Sequence, residues 1–137
     1  LQNRESYLRE LDNLFRGSGF VKYVFEQAAN LTLPHGARAI SQLGQQIPVD
    51  QLQPGDLVFF NTLKTAFSHV GIYVGENKFI HSPSKGANIR VDDMTSVYWD
   101  KRFDGARRLD GSDEFSDQER KNLMNEMKKF KKQSQMF

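Results

Sequence analysis

The chain has 137 residues, and 19 Lys and Arg against 17 Asp and Glu leave a net charge of only +2. That length suits one domain with a modest core, and so small a charge gives no ground for a nucleic-acid partner. No run nears the roughly 18 apolar residues of a spanning helix, and the chain has no cysteine, which excludes disulfides, thiolate zinc sites and any thiol nucleophile. The opening residues do not read as a signal peptide, so any export signal is expected to be already gone or never to have existed.

Three parts separate by pattern: an N-terminal helical arm over 1–16, a central domain over 17–110, and an amphipathic helical segment over 111–137. In the arm, Tyr7, Leu8, Leu11, Leu14 and Phe15 recur at helical spacing between charges. The central domain begins with GSGFVKYVFEQAAN. Phe20, Val21, Val24, Phe25 and Ala28 follow the 3,4 period there, and Asn30 and Pro34 stop the helix. A second short helix is expected over 36–43, ending at Gly44. Pro54-Gly55 is a turn, and the continuous apolar run Leu57–Phe60 suits a buried strand. Val70, Ile72 and Val74 alternate with Gly71 and Tyr73, Gly75–Asn77 turns the chain, and Lys78–His81 returns as a hairpin. Two short strands follow, at 88–91 and 103–109. Helices first, then antiparallel strands on short turns, is an α+β layout with helices packed on one side of a sheet.

The last helix is expected over 116–134. Ser116 and Glu119 form a capping-box pattern, and lysines gather at the far end where the helix dipole favours them. Leu123, Met127 and Phe130 make one apolar stripe. Three uses fit this stripe: docking on its own domain, self-association or partner binding, or an anionic surface.

His69 opens one hairpin strand and His81 closes the other. They face each other if the turn centres near residue 75, and the sequence also permits an offset of a residue or two. Two imidazoles so placed can be a base with its orienting partner, two metal ligands, or an unrelated polar pair. A metal would need further ligands, and no Asp, Glu or third His stands nearby at a convincing spacing; His35 lies in another element. The base with its orienting partner is the leading interpretation. A base needs a group to deprotonate, and the start of an apolar helix is a natural site for one. The helix beginning near Gly17 is that place.

The segments GSGFVKYVF, LQPGDLVFFNT, SHVGIYVGENKFIHSPSKG and YWDKRFDGARRL agree in order, spacing and residue type with the NlpC-type family of papain-like cell-wall cysteine peptidases. The chain resembles that family over about residues 15–109. The resemblance implies a papain-like fold and cleavage of bacterial cell-wall stem peptides, typically after γ-D-glutamyl, with no cofactor and no metal. It implies peptidoglycan stem peptides as partners and the bacterial cell envelope, periplasmic or secreted, as location. It makes His69 the base, His81 its orienter and Gly17 the position of the nucleophile. Ser18, Ser68 and Trp99 become candidate substrate-binding residues.

The departures from the family bear on function. Its motif reads Phe-Asp-Cys-Ser-Gly-Phe, whereas this chain has Phe15, Arg16, Gly17, Ser18, Gly19 and Phe20. Glycine cannot attack a carbonyl. Ser18 is one residue on, about 100° round a helix, and its hydroxyl is far less acidic than a thiol. Arg16 also puts positive charge at the positive end of the helix, a penalty on the order of 1 kcal/mol together with the lost cap. The expectation is therefore a peptidase domain made inactive by loss of its nucleophile. The alternative is a non-enzymatic module that binds cell-wall peptide or forms oligomers through its terminal helices. The family's usual Gly-x-x-Tyr and Gly-Gly stretch is not evident in 1–14. Gly-Ser pairs at 17–18 and 111–112 lie near both edges of the resemblance, as joints in an assembled chain would; a natural non-catalytic relative fits equally.

Several further residues draw attention. Asp56 is expected to brace a turn and open a strand. Trp99 and Tyr98 either line a groove or cap the core. One of Arg107 and Arg108 is expected to pair with a surface carboxylate. The Lys85-Gly86 loop could meet a stem-peptide carboxylate.

Overall fold

The apolar period after Ser18 becomes helix α1, Ser18–Ala29, which buries Phe20, Val21, Val24, Phe25 and Ala28. The computed structural model describes residues 18–83, 89–109 and 117–135; the N-terminal arm, Arg16 and Gly17, the Lys85-Gly86 loop and the 111–112 Gly-Ser pair lie outside the described residues. Asn30 ends α1 in the left-handed region, φ 52°, with its N–H on the Glu26 carbonyl. Asparagine tolerates that conformation better than most residues.

The second helix is shorter than the sequence suggests. Helix α2 is only Ala37–Ile40, after which the chain turns through Gly44 into a two-residue strand β1, Gln45–Gln46. A Cβ at Gly44 would lie 2.3 Å from the Arg108 carbonyl oxygen, so only glycine permits this close approach. A 3₁₀ turn at Val49–Gln51 leads to β2, Leu57–Phe60. Then come β3, His69–Gly75, and β4, Lys78–His81, followed by β5, Arg90–Asp93. A short helix α3, Val97–Asp100, precedes β6, Phe103–Arg108. Helix α4 spans Asp117–Gln135. Strand β1 and helix α3 had no clear sequence signal, since each is too short to show a period.

The six strands form one antiparallel sheet in the order β1-β6-β2-β3-β4-β5. All four residues of β2 are buried because both faces of the sheet are covered, which explains its unbroken apolar run. Leu57, Phe59, Val70, Ile72 and Ile80 pack under α1 and α2. Val58, Phe60, Tyr73, Phe79 and Ala106 pack on the other face with Ile47 and Met94, and Trp99 lies against them. Helices α1, α2 and α4 thus share one face, and among the described residues α3 with its Trp99 covers the other together with Ile47, Leu52 and Met94. On α4, Leu123 and Met127 are buried in the same core as Phe20 and Phe25, so this part of the stripe docks on its own domain.

Asp56 does more than brace a turn. It is buried, accepts the Gln53 N–H at 2.8 Å, and takes a two-pronged ion pair from Arg108, Nε to Oδ1 and Nη2 to Oδ2, both 2.8 Å. The expected arginine–carboxylate pair is therefore interior on its acidic side, and it ties the start of β2 to the end of β6. Arg107 instead donates to the Ser41 carbonyl at 2.8 Å. Replacing Asp56 with Ala should destabilise the fold by about 2–4 kcal/mol, because the half-buried Arg108 loses its fork partner. Urea unfolding of the two proteins would measure it, and a difference under about 1 kcal/mol would mean that water replaces the pair.

Candidate active site

The hairpin sets the site. The turn residues Gly75, Glu76 and Asn77 all have positive φ, and the register shifts between Tyr73 and Gly75. Below that irregularity Tyr73 pairs with Phe79 and Ile72 with Ile80. Continuing the same register puts His81 across from Gly71, two residues from His69. The histidines are therefore diagonal neighbours on one face, the offset case that the sequence permitted. Diagonal side chains on adjacent strands are within reach when one is long or aromatic.

Gly71 makes room for this. A Cβ there would lie 2.6 Å from the Phe79 ring, 3.0 Å from the Ile80 carbonyl oxygen and 3.1 Å from the His81 Cβ. With no side chain at that position, the rings meet: His69 Nε2 is 2.7 Å from His81 Nδ1. Both residues are buried, at 5% and 1% exposure.

The chain of contacts continues to a residue that sequence reasoning missed. His81 Nε2 lies 2.6 Å from Asp92 Oδ2, on β5. Phe79 pairs with Asp92 and His81 with Arg90, so Asp92 is again a diagonal neighbour on the same face. Arg90 holds this carboxylate with Nε at 3.0 Å from Oδ2 and Nη2 at 3.1 Å from Oδ1. The sequence carried a weak signal, the alternation of Arg90 and Asp92 in a short strand, but nothing fixed the register of β5 against β4.

Trp99 stacks on His69, with centroids 5.7 Å apart and planes at 25°, and meets His81 edge-on at 5.1 Å. It also packs edge-on against Phe60. Groove lining and core capping, open alternatives in the sequence, are thus one role. A cavity of about 470 Å³ is lined by Thr62, His69, His81, Pro83, Arg90, Asp92, Ser96, Tyr98 and Trp99. The candidate binding residues Ser18 and Ser68 are not in that lining. Ser18 Oγ accepts the Gly36 N–H at 3.1 Å. Ser68 Oγ accepts the N–H groups of Thr62 and Leu63 at 2.9 and 3.3 Å, bracing the loop before β3. Gly17, the expected nucleophile position, lies outside the described residues.

Burial, and secondarily His81, push the His69 pKa from 6.5 down to about 3, while the Asp92 carboxylate pulls the other way. Burial also holds His81 below its usual value, against the hydrogen bond and charge of Asp92. Asp92 is held below the carboxylate range, first by its bond to His81, and by Arg90 as well. Two neutral imidazoles beside an ionised carboxylate can accept a proton and spread the resulting charge, as a general base requires. Among the described residues, no three His, Asp or Glu side chains gather as a metal site would require.

The sequence profile of the NlpC/P60 family matches residues 10–108. The match starts upstream of the resemblance drawn from motifs, so residues 10–14 belong to the family pattern although they carry none of its usual glycines. The γ-DL-glutamyl hydrolase of Bacillus subtilis is 38% identical over 97 residues, covering 70% of this chain and 23% of that protein. The murein DD-endopeptidase MepH of Escherichia coli is 37% identical over 98 residues, 69% of this chain and 36% of that one. A crystal structure from Staphylococcus aureus, described as similar to a lipoprotein of the NLP/P60 family, superposes with a TM-score of 0.61 at 30% identity, over 80% of this chain and 34% of that one. The matched segments thus span well under half the length of these proteins.

Two measurements test the site. The unfolded chain protonates histidine below about 6.5, whereas the folded chain holds His69 neutral until about pH 3. The unfolded state then binds more protons, so stability is complete above 6.5 and is lost as pH falls toward 3. Each unit of that gap is worth about 1.4 kcal/mol. The melting temperature should fall by about 5 °C or more between pH 7.5 and 4.5, and by clearly less in His69→Phe; equal falls would refute the burial account. Separately, Gly71→Ala should cost about 2–3 kcal/mol by overpacking and lengthen the His69–His81 contact, visible as altered imidazole resonances.

Proposed function

The chain belongs to the NlpC/P60 family, and from that premise we propose that it is a cell-wall stem-peptide hydrolase domain that has lost its nucleophile. The substrate class is the peptidoglycan stem peptide, with the γ-D-glutamyl linkage as the first bond to test, and the place of action is the bacterial envelope. The names of the relatives support the stem-peptide class: one is a γ-DL-glutamyl hydrolase and another a murein DD-endopeptidase.

The observation that carries the proposal is a contrast. His69 and His81, the base and orienter of this reading, are buried and 2.7 Å apart. Yet the chain contains no cysteine at all, and Gly17 stands at the motif position of the attacking sulfur. In a working domain, His69 would take the thiol proton, the thiolate would attack the scissile carbonyl, and the imidazolium would then protonate the leaving amine. The polarity of the site suits that cycle, since His69 is neutral before the reaction and Asp92 compensates the charge that develops. Without the sulfur, the first bond cannot form. The rate enhancement falls by several orders of magnitude, and what remains is binding.

The open cavity beside Trp99 and Arg90 gives support to a second reading, a peptide-binding module that no longer cuts. Self-association through the terminal helices has less support, because Leu123 and Met127 are already spent on the chain's own core.

The test is restoration. The native chain should show no hydrolysis of a γ-D-glutamyl-containing stem peptide above background. Gly17→Cys combined with Arg16→Asp should release product at a rate at least 100-fold higher, followed by mass spectrometry. Cleavage by the native chain would overturn the loss of function. A folded but inert double variant would favour the binding module.

A further inference from the structure

We propose that Asp92, clamped by Arg90, is a positioning residue that fixes the tautomers of both imidazoles, so that His69 keeps its lone pair on Nδ1. This deepens the proposed function, and its kinetic arm rests on it.

The assignment follows from donors and acceptors. An ionised carboxylate can only accept hydrogen bonds. Asp92 Oδ2 is 2.6 Å from His81 Nε2, so the proton in that contact belongs to His81 Nε2. A neutral imidazole carries one N–H, so His81 Nδ1 is left with a lone pair. That nitrogen lies 2.7 Å from His69 Nε2, which must therefore donate. His69 Nδ1 is then the bare nitrogen, and among the described residues it has no hydrogen-bond partner. A base that must take a proton from a nucleophile needs such a free lone pair.

Arg90 is what makes the first step firm. A carboxylate can rotate, and a protonated carboxyl could donate and reverse the whole chain. The guanidinium binds both oxygens, Nε on Oδ2 and Nη2 on Oδ1, which holds the group ionised and fixes its plane. Arg90 is on the same strand two residues away and is largely exposed, so its removal should leave the core intact.

The direction of the relay can be observed without any catalysis. Nitrogen-15 NMR of labelled native chain at pH 7.5 distinguishes a bare from a protonated ring nitrogen. Nε2 should be protonated and Nδ1 bare in both His69 and His81. In Asp92→Leu the acceptor is gone, and a measurable share of His69, on the order of a tenth or more, should carry its proton on Nδ1. Arg90→Ala should shift both residues in the same sense but less, with Arg90→Lys nearer to native. A protonated His69 Nδ1 in the native chain would overturn the proposal at once. So would unchanged tautomers in a folded Asp92→Leu chain. Should that variant fail to fold, Arg90→Ala, whose side chain is outside the core, gives the deciding spectrum: unchanged tautomers there would refute the clamp.

The kinetic arm uses the restored Gly17→Cys, Arg16→Asp chain. Adding Asp92→Leu should lower kcat at least tenfold with KM changed less than twofold. A rise in KM alone would refute positioning and make Asp92 a substrate contact. If the restored chain is itself inert, the NMR result stands independently.

Discussion

A line of hydrogen bonds buried in the sheet, His69 to His81 to Asp92, is the constraint on which the rest of this domain turns. Buried polar groups are costly unless paired, and along this line each donor meets an acceptor; among the described residues only His69 Nδ1 is left without a partner. The line runs diagonally over three strands, so it exists only while the registers of β3, β4 and β5 are all held. A slip of one residue in any of them would send a member of the line to the opposite face.

The packing serves that register. Gly71 is empty where the two rings must meet, the irregularity after Tyr73 sets the offset, and Trp99 closes over both imidazoles from α3. Phe60 and Phe79 stack beneath, at 4.7 Å between centroids, and give the rings a rigid floor. At the far end of the sheet, the Asp56–Arg108 fork fixes β2 against β6. The dry surroundings keep both histidines neutral, and the carboxylate at the end of the line is ready to balance a proton gained at the other. That electrostatic design suits acid–base chemistry, and it is present in a chain that contains no cysteine. The same contacts also hold the sheet together: removing His81 or Asp92 would leave a buried polar partner unsatisfied.

The covered helical face has a simpler logic. Helix α1 contributes Phe20, Val21, Val24 and Phe25 to the core beneath which Val70 and Ile72 of β3 lie, so the strand that begins with His69 is pinned by the helix that follows the motif glycine. Leu123 and Met127 of α4 complete that core. The C-terminal helix is therefore part of what stabilises the domain.

Much was legible in the residues themselves. The 3,4 period of α1, the hairpin turn at 75–77, the buried run of β2 and the pairing of the two histidines are local patterns, and local patterns follow from helix and strand geometry. The absence of cysteine, and the Gly17 aligned with the Cys of the family motif, were legible too, since neither needs coordinates to be noticed. The tertiary structure decided the rest: that the histidines meet on the diagonal rather than face to face, that Asp92 ends their line, that Arg90 clamps it, and that Trp99 both lines the cavity and caps the core. Each of these depends on how one strand slides against another or on how a short helix folds back. Such registers are set by the summed packing of distant residues, and no short stretch of sequence contains that information.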